Sequence, residues 1–247
     1  LGVLPLVPAG NYRFFNSRGK PGYPIKASIS ELTNLWLDNI LGQDNFRFPR
    51  VWPAPSALQR SRQLRDTIDP LSELRVVSIN FGVGGNPRKL VAGSFESELI
   101  LALLAEPKVR IILDLGFGDE ERQRSEALLS TAGAKGYPVQ ELSFDRVSEI
   151  KPETRLIGVQ CSVAEIAALI SNSDEFIGYD SACHHIAAAQ GVRTFTVFAG
   201  TNNVRFIRRW RACGSNVSEI VYVDTLSKHN PIDELEIVER LMDIRTI

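Results

Sequence analysis

The stretch Phe176 to Gly200, FIGYDSACHHIAAAQGVRTFTVFAG, holds the densest set of residues able to do chemistry. A β-rich run ends at Tyr179, Asp180 and Ser181 supply a turn and an N-cap, and a small-residue helix continues through Ile186 to Gln190 until Gly191 stops it. In open α/β sheets, ligands collect outside the carboxyl ends of the strands, and the free N–H groups of a helix's first turn favour anions. The turn at Asp180, Ser181 and Ala182 is therefore a candidate phosphate cradle, and Ala182, Ala187, Ala188 and Ala189 would let the helix approach both sheet and ligand. An ordinary N-cap with tight helix packing explains the same spacing. Asp180 repels phosphate, so as a ligand residue it would accept hydrogen bonds from sugar hydroxyls.

A second block, Phe81 to Leu90 (FGVGGNPRKL), follows a predicted strand; Gly82, Gly84 and Gly85 allow the backbone to wrap an anion, and Arg88 and Lys89 add donors. A solvated basic turn is the competing reading. Pro87 stands where the dinucleotide fingerprint needs its third glycine, and no Gly-Lys-Ser/Thr is present, so a dehydrogenase or P-loop NTPase is disfavoured. In a third block, Asp114 to Arg122 (DLGFGDEER), the acids suit a helix N-terminus. Cys183, His184 and His185 are consecutive, and neighbours on a helix diverge by about 100°, so they do not converge on one ion and no metal is expected. Arg205, Arg208, Arg209 and Arg211, interleaved with Phe206, Ile207 and Trp210, read as a solvated helix face with an apolar stripe rather than a nucleic-acid surface.

Positioning such groups takes a packed core, and 247 residues with 44% hydrophobic and 23% charged residues can build one, which excludes disorder and disulfide scaffolds. Lys+Arg 28 against Asp+Glu 29 leaves a net charge of -1, too little for a global field that would hold nucleic acid or an acidic bilayer. Cys161, Cys183 and Cys213 are too few and too dispersed for a disulfide framework, and a reducing cytosol is the default. No run approaches the roughly 20 apolar residues of a membrane span, and Leu1 to Gly10 carries no basic leader. The chain begins with Leu1 and its one methionine is Met242, so it reads as part of a longer protein.

From Leu74 onward, β-rich runs alternate with helical periods, which predicts a Rossmann-like, doubly wound parallel α/β sheet. Six strands are expected: Arg75 to Phe81, Val109 to Leu115, Pro138 to Leu142, Glu175 to Tyr179, Arg193 to Phe198 and Glu219 to Val223. Phe95, Leu99, Ala102 and Leu103 share one helical face, as do Val163, Ile166, Ala167 and Ile170 behind a Ser162/Glu165 capping box. A last helix would start at Asn230 and Pro231 and turn Leu235, Val238, Leu241 and Met242 inward. Earlier, Pro5, Pro8, Pro21, Pro24, Pro49, Pro53, Pro55 and Pro70 interrupt anything regular except a helix over Ser30 to Leu41. Residues 1–71 are expected to be the tail of an upstream domain with a linker ending near Asp69 to Ser72, and residues 72–247 the sheet domain.

The run Asp180-Ser181-Ala182-Cys183-His184-His185-Ile186, then Ala187-Ala188-Ala189-Gln190-Gly191-Val192, and one strand later Phe198-Ala199-Gly200-Thr201, resembles the signature of the ADP-heptose:lipopolysaccharide heptosyltransferase family. The resemblance extends over residues 74 to about 225 with the spacing of its blocks kept. It departs from the family at Ala182, where the family has glycine, and at Gly200-Thr201-Asn202-Asn203. It implies the C-terminal, donor-binding half of a GT-B fold. The Gly84/Gly85 loop with Lys89 would meet the donor phosphates, as would Ser181, Ala182 and His185. Asp119 or Glu120 would bind the ribose, the backbone of Cys161 would run along the base, and Asp180 would complete the donor site.

On that resemblance the expected reaction is inverting, metal-independent transfer of a sugar, heptose from ADP-heptose by the family's name, to a lipopolysaccharide-core or other lipid-linked acceptor. The nucleotide-sugar would be a co-substrate and no further cofactor is expected. The general base would come from the upstream domain. The expected location is the cytoplasm, at the inner face of the bacterial inner membrane, with peripheral membrane contact and no nucleic acid. A nucleotide-sugar epimerase of similar architecture, or a non-catalytic nucleotide-sugar-binding scaffold, are the alternatives.

Overall fold

The computed structural model describes residue 10 and residues 13–16, 24–227 and 232–246. The expected cap at Asn230 and Pro231, and Pro5, Pro8 and Pro21, lie outside the described residues. Seven strands make one sheet: β1 (Arg75–Asn80), β2 (Val109–Asp114), β3 (Val139–Ser143), β4 (Leu156–Gln160), β5 (Glu175–Tyr179), β6 (Arg193–Phe198) and β7 (Ser218–Tyr222). They lie in the order β3-β4-β2-β1-β5-β6-β7, and every neighbouring pair is parallel. This is the expected Rossmann-like α/β fold with one strand more than the six predicted.

The additional strand is β4. Its Gly158 argues against a strand, yet the missing Cβ is what admits Leu129 and Leu115, whose methyl carbons would lie 2.7 and 3.0 Å from it. Strand residues alternate between two cores because helices cover both faces. Val77, Ile79, Ile111, Leu113, Phe195 and Val197 pack against α3 (Phe95–Ala105), α4 (Asp119–Ala134) and α8 (Glu234–Thr246). Val76, Ile112, Ile157 and Phe176 pack against α2 (Pro55–Ile68), α5 (Val163–Ser171) and α6 (Ala182–Ala189).

Helix α2 corrects the expectation that residues before Asp69 form only loops around one helix. Pro55 sits in its first turn, where a missing N–H costs nothing, and Ala57, Ser61, Leu64 and Ile68 fall on its buried side. Arg65 ties it to β5's entry by a 2.7 Å bond to Asp174. The other early helix, α1 (Ile29–Leu41), begins at a Ser28/Glu31 capping box, one residue ahead of the predicted start. In α8, Val238 and Leu241 turn inward as expected and Met242 packs on that core, but Leu235 faces solvent and Ile237 takes the inward place.

The arginine cluster on and just after α7 (Val204–Trp210) is corrected in part: Arg205, Arg208 and Arg211 are exposed as expected of a solvated face, and Arg209 is not. Arg209 is buried and donates to the carbonyl of Ala27, and Arg211 pairs with Glu31 at 2.9 Å, so α7 is stitched to α1. At the amino ends of the strands, buried Glu175 meets Arg245 at 2.8 Å, Arg193 at 3.2 Å and Arg75 at 3.5 Å, so the carboxylate there is compensated. Among the described residues no helix is long and apolar enough to cross a membrane.

Candidate functional site

The carboxyl ends of β4, β2, β1 and β5 lie side by side, so four connecting loops share one edge of the sheet. After β1 the chain makes a glycine turn, with φ of 60° at Gly84 and 74° at Gly85, and a short 3-10 turn over Pro87–Lys89 capped by Asn86. That turn aims Lys89 at the next loop. Its ammonium lies 2.7 Å from Asp180 Oδ2 and donates to the Asp180 carbonyl at 2.8 Å. Behind it, Gly200 has φ 72°, and a Cβ there would land on the Arg88 carbonyl and come 3.1 Å from Lys89 N. Lys89 is thus backed by the loop after β6.

At the start of α6, Ala182 is exposed, and its amide has no partner among the described residues. The amide of Ser181 is engaged, donating to His184 Nδ1 at 3.1 Å. His184 is fully buried, with Nε2 3.2 Å from the carbonyl of Trp210 and 4.0 Å from Asp180 Oδ1. Burial lowers its pKa and keeps it neutral. Nδ1 lies 3.1 Å from the Ser181 amide and 2.5 Å from the Ser181 carbonyl while Nε2 faces the Trp210 carbonyl, so both ring nitrogens have protein partners and either could carry the proton. His184 is therefore the satisfied core histidine.

His185 stacks on it at 3.9 Å between ring centroids and faces a different space, a largely apolar cavity of about 760 Å³. That cavity is walled by α1, Phe48, Pro49 and Trp210. Burial, reinforced by His184, holds the pKa of His185 at about 4. Asp180, His184 and His185 bring one donor atom each within 4.8 Å of one another. A cation there would have to displace the Lys89 ammonium from Asp180 and the His184 ring from its backbone partners.

Toward β2 and β4 the edge becomes acidic. Asn80 donates to Asp114 Oδ2 at 2.7 Å, Gly116 N donates to Asp114 Oδ1 at 3.0 Å, and the Cys161 thiol reaches Asp114 Oδ1 at 3.5 Å. Burial raises the pKa of Asp114, and burial with that carboxylate raises the Cys161 thiol. Glu121 accepts from Val83 N at 3.3 Å and Phe117 N at 2.9 Å, joining the loops after β1 and β2.

The structure thus brings Lys89 and Asp180 into contact, with Ser181 and Ala182 adjoining on the same turn. Gly84 and Gly85 are exposed on the same loop as Lys89, and Asp119 and Glu120 are exposed in the first turn of α4. Cys161 closes the β4 side, and His185 is the one candidate that also opens onto the α1 cavity. Sequence reasoning missed Asn80 and Glu121. A polar residue closing the apolar run Arg75–Asn80 was the signal for the first; nothing in the acidic run distinguished the second.

The model of glycosyltransferase family 9 (heptosyltransferase) matches residues 139–234. No curated protein sequence matches significantly. A crystal structure of the glycosyl transferase family 9 from Veillonella parvula DSM 2008 superposes with TM-score 0.62 at 10% identity, covering 94% of this chain and 62% of its own. E. coli heptosyltransferase WaaC with ADP gives 0.54 at 16% identity, covering 87% and 55%. E. coli ADP-heptose lps heptosyltransferase II gives 0.53 at 12%, covering 83% and 56%. The chain therefore spans between 55% and 62% of the length of these structures, and at such identities the likeness is one of fold. Residues 139–234 carry the glycosyltransferase family 9 (heptosyltransferase) signature, set in the fold that solved structures described by that name share.

Proposed function

We propose that the protein is the donor-binding part of a glycosyltransferase that moves a sugar from a nucleotide-diphosphate donor to an envelope-glycan acceptor, with inversion and without a metal ion. ADP-heptose and a lipopolysaccharide-core acceptor are the substrates that the names of the family and its solved neighbours suggest. The observation that carries the reading is Lys89, held 2.7 Å from Asp180 on the turn that leads to the exposed Ala182 at the start of α6, where a diphosphate would meet an ammonium and an open amide together. An acceptor hydroxyl attacks the anomeric carbon, the bond to the diphosphate oxygen breaks, and the electron pair leaves on the nucleoside diphosphate. Lys89 and the Ala182 amide would stabilise that charge, and removal of one such donor typically costs about 10² to 10³ in rate. The general base is assigned to the upstream domain, together with the acceptor and contact with the inner face of the inner membrane.

Calorimetric titration with ADP, UDP and GDP tests this. ADP is expected to bind best; no binding of any of the three at millimolar concentration overturns the donor site, and preference for UDP favours an epimerase. One observation favours a non-catalytic nucleotide-sugar-binding protein instead: the Ser181 amide is already engaged by His184. Nucleotide-sugar binding by the full-length protein, with no free nucleotide released in the presence of any acceptor, would favour that second reading.

A further inference from the structure

Phe117, at the tip of the loop from β2 to α4, is 96% exposed, the highest exposure among the described large hydrophobic residues; Trp52 follows at 81%. An aromatic ring held in water forgoes the burial that normally makes such a residue stabilising. Flexibility does not account for it. Gly116 (φ 82°) and Gly118 (φ 89°) flank it in conformations that other residues rarely adopt. The backbone is fastened on both sides, with Gly116 N on Asp114 Oδ1 at 3.0 Å and Phe117 N on Glu121 Oε2 at 2.9 Å. The ring is presented outward by a loop that is tied down.

Charge along the edge indicates what it is presented to. The end with donors for an anion, Lys89 paired with Asp180, exposed Arg88 on the same loop and the open Ala182 amide, stands at β1 and β5; the acidic end, with Asp114, Asp119, Glu120 and Glu121, stands at β2, next to β1 on the other side. A diphosphate is attracted to the first end and repelled from the second. The loop after β2 is one strand spacing from β1 and two from β5, roughly 5 to 10 Å, a reach comparable with that from a nucleotide's diphosphate to its base. A flat, neutral ring system is the part of such a ligand that an exposed phenyl beside four carboxylates can accept.

We infer that Phe117 is the stacking face for the nucleobase of the donor, an inference that rests on the donor-site reading above. Larger bases then bind more tightly, because the phenyl ring covers more of a purine than of a pyrimidine.

The test is calorimetry on the chain and its Phe117→Ala and Phe117→Trp variants with ADP, UDP and ribose 5-diphosphate, which keeps the sugar and phosphates and lacks the base. Phe117→Ala should weaken ADP about tenfold or more and UDP less, leave ribose 5-diphosphate unchanged, and be rescued by Phe117→Trp. An exposed tip tolerates these changes, so urea midpoints should stay at the wild-type value. Unchanged ADP affinity in Phe117→Ala overturns the inference and leaves the donor site intact. Equal loss for ribose 5-diphosphate also overturns it, by showing that the residue merely shapes the loop. Failure of the wild-type chain to bind any of the three ligands removes the donor reading itself.

Discussion

Lys89 and Asp180, ninety-one positions apart in sequence, are joined twice: the lysine ammonium meets the aspartate carboxylate at 2.7 Å and its main-chain carbonyl at 2.8 Å. The loop after β1 is thereby fixed to the turn after β5, and under the proposed donor site the ammonium would be shared between Asp180 and the incoming diphosphate. Replacing Lys89 with methionine should weaken ADP about tenfold to a hundredfold and AMP less, since the second phosphate is the group it would reach. Calorimetry with both nucleotides checks this; equal losses would place the lysine elsewhere along the ligand.

Gly200→Ala attacks the same loop from behind. Its φ of 72° disfavours a side chain, and the new Cβ meets the Arg88 carbonyl. A loss of about 2 kcal/mol or more in urea unfolding is expected, together with weaker ADP binding as Arg88 and Lys89 are displaced. A variant as stable as wild type would show that the loop yields easily.

Glu121→Ala removes the acceptor shared by Val83 N and Phe117 N. Hydrogen exchange should accelerate at those two amides and not in β1 or β2, with a stability cost of about 1 to 3 kcal/mol. Acceleration throughout both strands would mean the carboxylate supports the sheet as well as the loops.

Acid should destabilise the protein through His185. Its pKa is about 4 when folded against 6.5 when free, so between those values the unfolded chain takes up a proton that the folded chain refuses. Stability therefore falls as pH falls through that window, by at most about 3 kcal/mol and by less where water reaches the ring. His184 acts in the same direction, while Asp114 and Glu96, whose pKa values are raised, act in the opposite one. The contribution of His185 is thus the difference between wild type and His185→Phe in urea midpoints at pH 7 and pH 5, and the variant should show the shallower slope.

The helix unseen in the sequence can be weighed as well. Leu64 on α2 is fully buried, and Leu64→Ala should cost about 2 to 5 kcal/mol in urea unfolding. A cost under 1 kcal/mol would mean that α2 is an appendage rather than part of the core.

What the sequence disclosed followed from how each element advertises itself. Apolar runs such as Val76–Ile79 and Phe195–Phe198, closed by turn residues, announce central strands, and the box at Ser162/Glu165 marks a helix start, whereas the box at Ser28/Glu31 goes unread in the spacing that places that helix from Ser30. β4 was hidden because Gly158 lowers strand propensity for the sake of a neighbour, Leu129, that only the fold reveals. α2 was hidden because Ser61 interrupts its apolar face and prolines precede it. In the site, the types of Lys89 and Asp180 were readable and their meeting was not. The histidines show the limit most clearly: adjacent in sequence, one is sealed between Ser181 and Trp210 and the other lines a cavity.

The Glu175 cluster at the opposite rim has a consequence for how this chain tolerates change. There Arg75, Arg193 and Arg245 converge on one carboxylate from three strand and helix ends, so substitutions should be felt collectively and penalised through stability. Across the sheet, at the rim with the exposed Ala182, tolerance is uneven: exposed Asp119 and Glu120 can be exchanged with little damage to the scaffold, while Gly200 and Glu121 hold their loops in place.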